Sequence, residues 1–110
     1  MSPATRKRDS AAPIFAALGD ETRLSLVARL SAGDRMSITR LTQGTDLTRQ
    51  AVTRHLAVLE DAGLVRGTRR GRERLCELEP QRIELARRSL DEMSRWWDTK
   101  LALLKAKVEK

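Results

Sequence analysis

The chain has very little of what most catalytic, metal-binding or disulfide-stapled proteins depend on. Its 110 residues include one Cys, one His, one Phe, two Trp and no Tyr. A single Cys76 rules out an internal disulfide, and a lone His55 with no cysteine partner cannot build a metal site within one chain. No apolar run approaches the length of a membrane span or a signal-peptide core, so a soluble cytoplasmic protein with no membrane partner is expected. There is no phosphate-cradling glycine loop, no Cys/His cluster and no nucleophile with a base at hand. The pattern therefore points away from an enzyme and calls for no cofactor. With aromatics at 3%, a core must be made from Leu, Val, Ile, Ala and Met, which suits helices.

What the chain does have is positive charge. The formal net charge is +7, and a small domain this basic commonly meets a polyanion. The excess is concentrated. Residues 48–76 carry seven Arg against Glu60, Asp61 and Glu73, whereas residues 13–47 sum to zero and residues 77–110 to only +1. A chain of this length makes one domain.

The order of elements is legible from caps and periodicity. Residues 1–11 (MSPATRKRDSA) read as a mobile basic tail. A short helix follows Pro13, carrying Ile14, Phe15 and Leu18. Asp20 is placed to cap the next helix, with Leu24, Leu26, Val27, Ala28 and Leu30 expected on its apolar face and Gly33 at its end. Ser37 caps a short helix, "ITRLTQG". After a tight turn at Gly44 to Leu47, Thr48 caps "RQAVTRHLAVLED". Two helices joined by a brief Gly-containing turn form a helix-turn-helix. The segment "LVRGTRRGRERLCEL" then changes period and reads as a β-hairpin, with its turn over Thr68 to Arg72. From Pro80 to the end runs one long helix. Ile83, Ala86, Leu90, Met93, Trp97, Leu101, Leu104 and Val108 form a seam on it, in steps of three and four, too long for a single small domain to cover. A second copy of the chain is the economical partner. The expected architecture is mainly α with a small β-hairpin: a winged helix-turn-helix over 12–79 and a dimerisation helix over 80–110.

The segments "FAALGDETRLSLVARLSAGD" and "DLTRQAVTRHLAVLEDAGLVRGTRRGRERLCEL" together resemble the arsenic-repressor-type (ArsR-like) winged-helix regulators across residues 13–78. That resemblance implies a homodimer paired through its first and last helices, binding an operator in double-stranded DNA and blocking transcription. The dimer interface would include Ile14, Phe15, Leu18, Leu90, Met93, Trp97, Leu101 and Leu104. Metal-sensing members carry a Cys-x-Cys-type motif at the start of the third helix, where this chain reads "RMSITRL". Others use His and carboxylates on the last helix, which here has Asp91, Glu92 and Asp98 but no His. The expectation is a metal-independent member with no bound metal, open to an unknown effector.

Helical geometry assigns the DNA-facing residues. Val52, Leu56 and Leu59 fall together, and Gln50, Thr53, Arg54 and Ala57 fall on the opposite side. Arg, Gln and Thr are the residue types that read base edges in the major groove. Thr48 and Arg49 at the helix start suit phosphate contact. Arg69, Arg70, Arg72 and Arg74 form the wing, placed for the backbone or a minor groove. His55 sits at the flank of the buried edge, suited to packing or to a backbone or phosphate hydrogen bond. Cys76 reads as a small buried residue, with a redox switch as the sharper alternative. Trp96 lies off the seam and would cover the partner's first helix or line an effector pocket. A module that kept the fold but serves protein interaction is the competing class, and the Arg-rich wing argues against it.

Overall fold

The computed structural model describes residues 10–109; the expected basic tail lies outside them except for Ser10 and Ala11. Eight elements follow in order: α1 (Ala12–Leu18), α2 (Glu21–Ala32), β1 (Met36–Ser37), α3 (Ile38–Gln43), α4 (Arg49–Asp61), β2 (Val65–Arg70), β3 (Glu73–Leu78) and α5 (Pro80–Val108).

The helix starts are set by side-chain oxygens. Asp20, Ser37 and Thr48 accept hydrogen bonds from the backbone N–H groups of Arg23, Arg40 and Ala51, at 3.0, 3.1 and 3.1 Å. Each satisfies an amide that the helix itself leaves without a partner. Helix ends are held differently. Arg29 of α2 donates to the carbonyls of Leu41 and Arg40 at the end of α3, at 2.6 and 3.1 Å. Arg82 of α5 donates to Ala62 O beyond α4, at 3.2 Å. Cations at helix C-termini also complement the helix dipole. These two arginines fix α3 and α4 to their neighbours.

One core forms where α1, α2, α3, α4 and the sheet meet. Ile14, Leu26, Leu41, Val52, Leu59, Leu64 and Cys76 have no exposed side chain. Two expectations about this core need correcting. Leu24 and Ala28 are exposed rather than buried. The buried arc of α2 is Leu26, Val27 and Leu30, and at about 100° per residue Leu24 and Ala28 fall on its far side. Ile14, expected at a dimer interface, is sealed inside its own chain between α1 and its neighbours, so it has no surface to offer a partner. Phe15 and Leu18 are half-buried beside it.

The sheet has three antiparallel strands in the order β1-β3-β2. β1 is only two residues long, and the sequence reading did not include it. It pairs Met36 with Cys76 and Ser37 with Leu75. β3 is therefore a central strand, and Cys76 is covered on both sides. The hairpin is also tighter than expected. The strands run to Arg70 and restart at Glu73, so Thr68, Arg69 and Arg70 lie in the ladder and the loop is Gly71-Arg72. Gly71 has φ +65°, which suits the first position of a II′ hairpin turn.

α5 touches the core only through its start, where Ile83 and Leu85 pack and Ala86 is buried. Beyond Leu90 every described residue of the helix is exposed. The Cα radius of gyration is 18.0 Å, against about 13 Å for a compact chain of this size, because α5 projects from the body.

Asp20 has its carboxyl held below the usual range, first by the hydrogen bond from the Arg23 amide. A lowered folded pKa adds stability above the unfolded value and loses it as pH falls. Asp20→Ala should lower the melting temperature at pH 7, and the gap to wild type should close as pH drops through the acid range. Thermal unfolding followed by circular dichroism across that range checks both.

Candidate nucleic-acid interface

α4 presents the surface that the helical wheel assigns. Val52, Leu56 and Leu59 are at most 2% exposed, and Gln50, Thr53, Arg54 and Ala57 are exposed. Among the described residues, Gln50, Thr53 and Arg54 have no side-chain hydrogen bond or ion pair, so their donors and acceptors are free for another molecule. At the start of α4 the Thr48 oxygen accepts the Ala51 amide, which leaves its hydroxyl hydrogen free to donate outward. Arg49 donates from Nη1 to Thr39 Oγ1 at 2.7 Å. That bond brings Thr39 of α3 beside the start of α4. Sequence reasoning left Thr39 out, because only the helix-turn-helix crossing places the first turn of α3 next to that of α4.

The wing divides its arginines by strand register. Side chains alternate along each strand, so Arg69 shares a face with its cross-strand partner Arg74, and Arg70 lies on the other face opposite Glu73. Arg74 is already engaged. Its Nη2 donates to Glu60 Oε1 of α4 at 2.6 Å, so it ties the wing to α4 rather than reaching outward. That bond holds the Arg74 guanidinium protonated even beyond its ordinary range. Arg66 at the wing's base bonds Glu77 at 3.0 Å and faces Glu79 at 3.3 Å. Arg69, Arg70 and Arg72 are exposed and make no ion pair among the described residues. Three free guanidinium groups therefore stand on the hairpin, on both of its faces and at its tip.

The Glu60–Arg74 pair lies across Gly67 in the middle of β2. A Cβ there would run into Glu60 Oε1 and the Arg74 guanidinium. Glycine at this position keeps room for a side-chain bridge between helix and wing.

His55 stands on the flank of α4 and faces inward along the molecule rather than outward. Its Nδ1 is 3.4 Å from Arg23 Nη1 and 3.8 Å from Asp20 Oδ2. The site therefore joins α4 to the capped start of α2, and the expected phosphate contact would have to use the other ring nitrogen. Cys76 is fully buried, and desolvation pushes its thiol pKa up. Reactive thiols have the opposite profile. Among the described residues no group of three or more His, Cys, Asp and Glu side chains could hold a metal ion, and no helix is long and apolar enough to cross a membrane.

Comparison with known proteins places this geometry. A helix-turn-helix domain family profile matches residues 18–68. An HTH-type transcriptional regulator of Bacillus subtilis (strain 168), YuzN, is 43% identical over 68 residues, covering 56% of this chain and 74% of the relative. The arsenical resistance operon repressor of Escherichia coli (strain K12) is 32% identical over 79 residues, covering 72% of this chain and 68% of the relative. An ArsR-like transcriptional regulator from Rhodococcus sp. RHA1 superposes with a TM-score of 0.71 at 33% identity, over 86% of this chain and 89% of that one.

The chain belongs to the ArsR family of winged helix-turn-helix regulators. It is a DNA-binding transcriptional regulator, and its relatives are regulators rather than enzymes. In this winged fold α3 and α4 form the helix-turn-helix and the β2–β3 hairpin is the wing.

Two outcomes are expected. Gly67→Ala should break the Glu60–Arg74 bridge at little cost to stability, since the colliding atoms are the ends of flexible side chains. Its duplex affinity should fall as far as that of Arg74→Ala, and the double variant should be no worse than either single one. Fluorescence anisotropy on the four proteins checks this. Cys76 should resist a thiol reagent in the native protein and react stoichiometrically in guanidinium, as absorbance titration would record.

Proposed function

We propose that this ArsR-family protein is a homodimeric repressor that reads an inverted-repeat operator without a metal. The reading is carried by one arrangement: the free outer edge of α4 stands beside a hairpin with three uncommitted arginines. In this reading Gln50, Thr53 and Arg54 enter the major groove. Arg has the bidentate donor pattern for guanine, Gln the pattern for adenine, and Thr can meet a base or a thymine methyl. Thr48, Arg49 and Thr39 approach phosphates at the junction of α3 and α4. Arg69, Arg70 and Arg72 bind the backbone or the adjoining minor groove, and Arg74 positions the wing.

The dimer is supported by the uncovered face of α5. Leu90, Met93, Trp97, Leu101 and Leu104 are 48–56% exposed at heptad-like spacing, and a continuous apolar stripe of that kind marks an association surface. In this reading the exposed parts of Phe15 and Leu18 on α1 would join it. A two-fold pair would set its recognition helices about one DNA turn, roughly 34 Å, apart. Release without a metal is supported by the donor chemistry. Cys76 is buried, and His55 is committed to Asp20 and Arg23.

Binding to a labelled duplex carrying the protein's own upstream region, against a scrambled duplex at several salt concentrations, tests this. The expected outcome is a preference for the upstream duplex with a steep salt slope, from roughly six to ten phosphate contacts per dimer. Gln50→Ala and Arg54→Ala should each reduce the preference between duplexes. Arg70→Ala should weaken both about equally and lower the slope by roughly one unit per lost contact in each half. Added arsenite or zinc should leave binding unchanged. Equal affinity of the wild type for both duplexes would refute sequence-specific reading.

A further inference from the structure

α5 carries more apolar surface than a helix seam needs. Measured at about 100° per residue from Trp97, the seam residues Leu90, Met93, Leu101, Leu104 and Val108 lie within roughly 40° on either side. Trp96 and Leu103 do not. They lie together roughly 100–120° around one flank, seven residues apart, with Lys100 between that flank and the seam. Trp96 is 55% and Leu103 64% exposed. The Lys100 ammonium sits over the Trp96 ring at 5.2 Å, and Trp96 meets Trp97 edge to face with ring centroids 5.0 Å apart. The indole thus has a cation over its face and a second ring beside it. An apolar face this wide fits two neighbours at once, one on the seam and one on the flank.

The body of the molecule has a matching concavity. A groove of about 640 Å³ opens between α1 and the last turns of α4. Its walls are mostly small and apolar: Ala12, Pro13, Ala16 and Ala17 on one side, Val58 and Ala62 on the other. Val58 is 39% exposed there although it belongs to the recognition helix. Asp61 is the one ionised side chain in the groove wall. α1 packs on both α4 and α5, so the groove adjoins the helix whose seam is to be covered. Small residues around a hole invite a large flat side chain, and Asp61 at its edge invites a cation. The Trp96–Lys100 pair offers both. Trp96 and Leu103 are more than half exposed, so neither fills the groove of its own chain.

We propose that Trp96 of the partner subunit docks in the α1–α4 groove, with the partner's Lys100 directed to Asp61. Each recognition helix is then braced along its inner end by the other chain. This rests on the homodimer reading above and adds to it a direct contact between the dimer contact surface and the DNA-reading helix. Burial of an indole against an apolar groove makes an anchor. A braced α4 would lose less freedom on meeting DNA, which raises affinity without any new DNA contact.

The test uses two full-length proteins, Ala16→Cys and Trp96→Cys, each also carrying Cys76→Ala. They are mixed, allowed to exchange subunits and treated with a short bis-maleimide. The expected product is a covalent pair containing one chain of each kind. It should be absent when Asp98→Cys, roughly 160° around α5 from Trp96, replaces Trp96→Cys. Circular dichroism establishes that every variant is folded, and sedimentation gives its oligomeric state. Dimers that give no more cross-link than the Asp98→Cys control would overturn the docking while leaving the homodimer intact. A monomeric wild-type protein would overturn both. In a separate arm, Trp96→Ala should remain dimeric yet bind the upstream duplex about fivefold or more weakly, the range of a modest coupling between sites, with its salt slope unchanged. Wild-type affinity in dimeric Trp96→Ala would show that the groove does not brace α4.

Discussion

Burial of the inner edge of α4 is the constraint on which the molecule depends. Val52, Leu56 and Leu59 lie at the centre of a core made of aliphatic side chains, with α1, α2, α3 and the sheet arranged around them. A helix held on one side by close-packed side chains cannot roll or slide without opening voids. Its outer edge is therefore fixed by the core and not by its own polar residues. Gln50, Thr53 and Arg54 can remain unbonded to the rest of the chain because they are not needed to keep the helix in place. A rigid element with free polar groups on one face is preorganised for a partner, and ordering costs are reduced before contact.

The same economy governs the arginines. Residues 48–76 hold seven of them, and summed charge alone would treat them alike. The structure assigns them different work. Arg66 is neutralised by Glu77 and Glu79, Arg74 is held by Glu60, and Arg49 is shared with Thr39. Arg54, Arg69, Arg70 and Arg72 remain. Exposed ion pairs contribute little to stability, so the value of the Glu60–Arg74 bridge is directional. It links a hairpin, joined to the body at its base, to the helix it must act beside. Gly67 is what makes the space for that link.

Much of this was legible in the sequence, for identifiable reasons. Asp20, Ser37 and Thr48 each announce a helix start through one local hydrogen bond, and the structure has all three. The inward and outward edges of α4 follow from helical period alone, and Gly71 marks its turn. What could not be read was set by contacts between segments far apart in the chain. β1 is two residues long and exists only because β3 offers it an edge. Arg74 looks like any other wing arginine until the packing of α4 against the sheet brings Glu60 to it. Ile14 belongs to an apolar stretch that faces its own core, and a short helix does not reveal which of its apolar sides is outward. Leu24 fits the helical pattern of α2 but lies beyond the arc that the neighbours cover.

α5 carries this reasoning one step further. An isolated helix in water is marginal unless a tertiary surface covers its apolar face, and beyond Leu90 the body covers none of it. The 29-residue helix is about 43 Å long at 1.5 Å per residue, and only its first turns rest on the core. Intrahelical pairs such as Arg87 with Glu84 and Asp91 lie in its first half and add only tenths of a kcal/mol each. In the dimeric reading, helix formation over the outer turns beyond Leu90 and association of the two chains become a single transition. The length of ordered α5 then depends on protein concentration. The DNA-reading surface, whose core is complete without α5's outer half, can fold before the pair assembles, so folding of the reader and assembly of the symmetric pair are separable steps of different order in concentration.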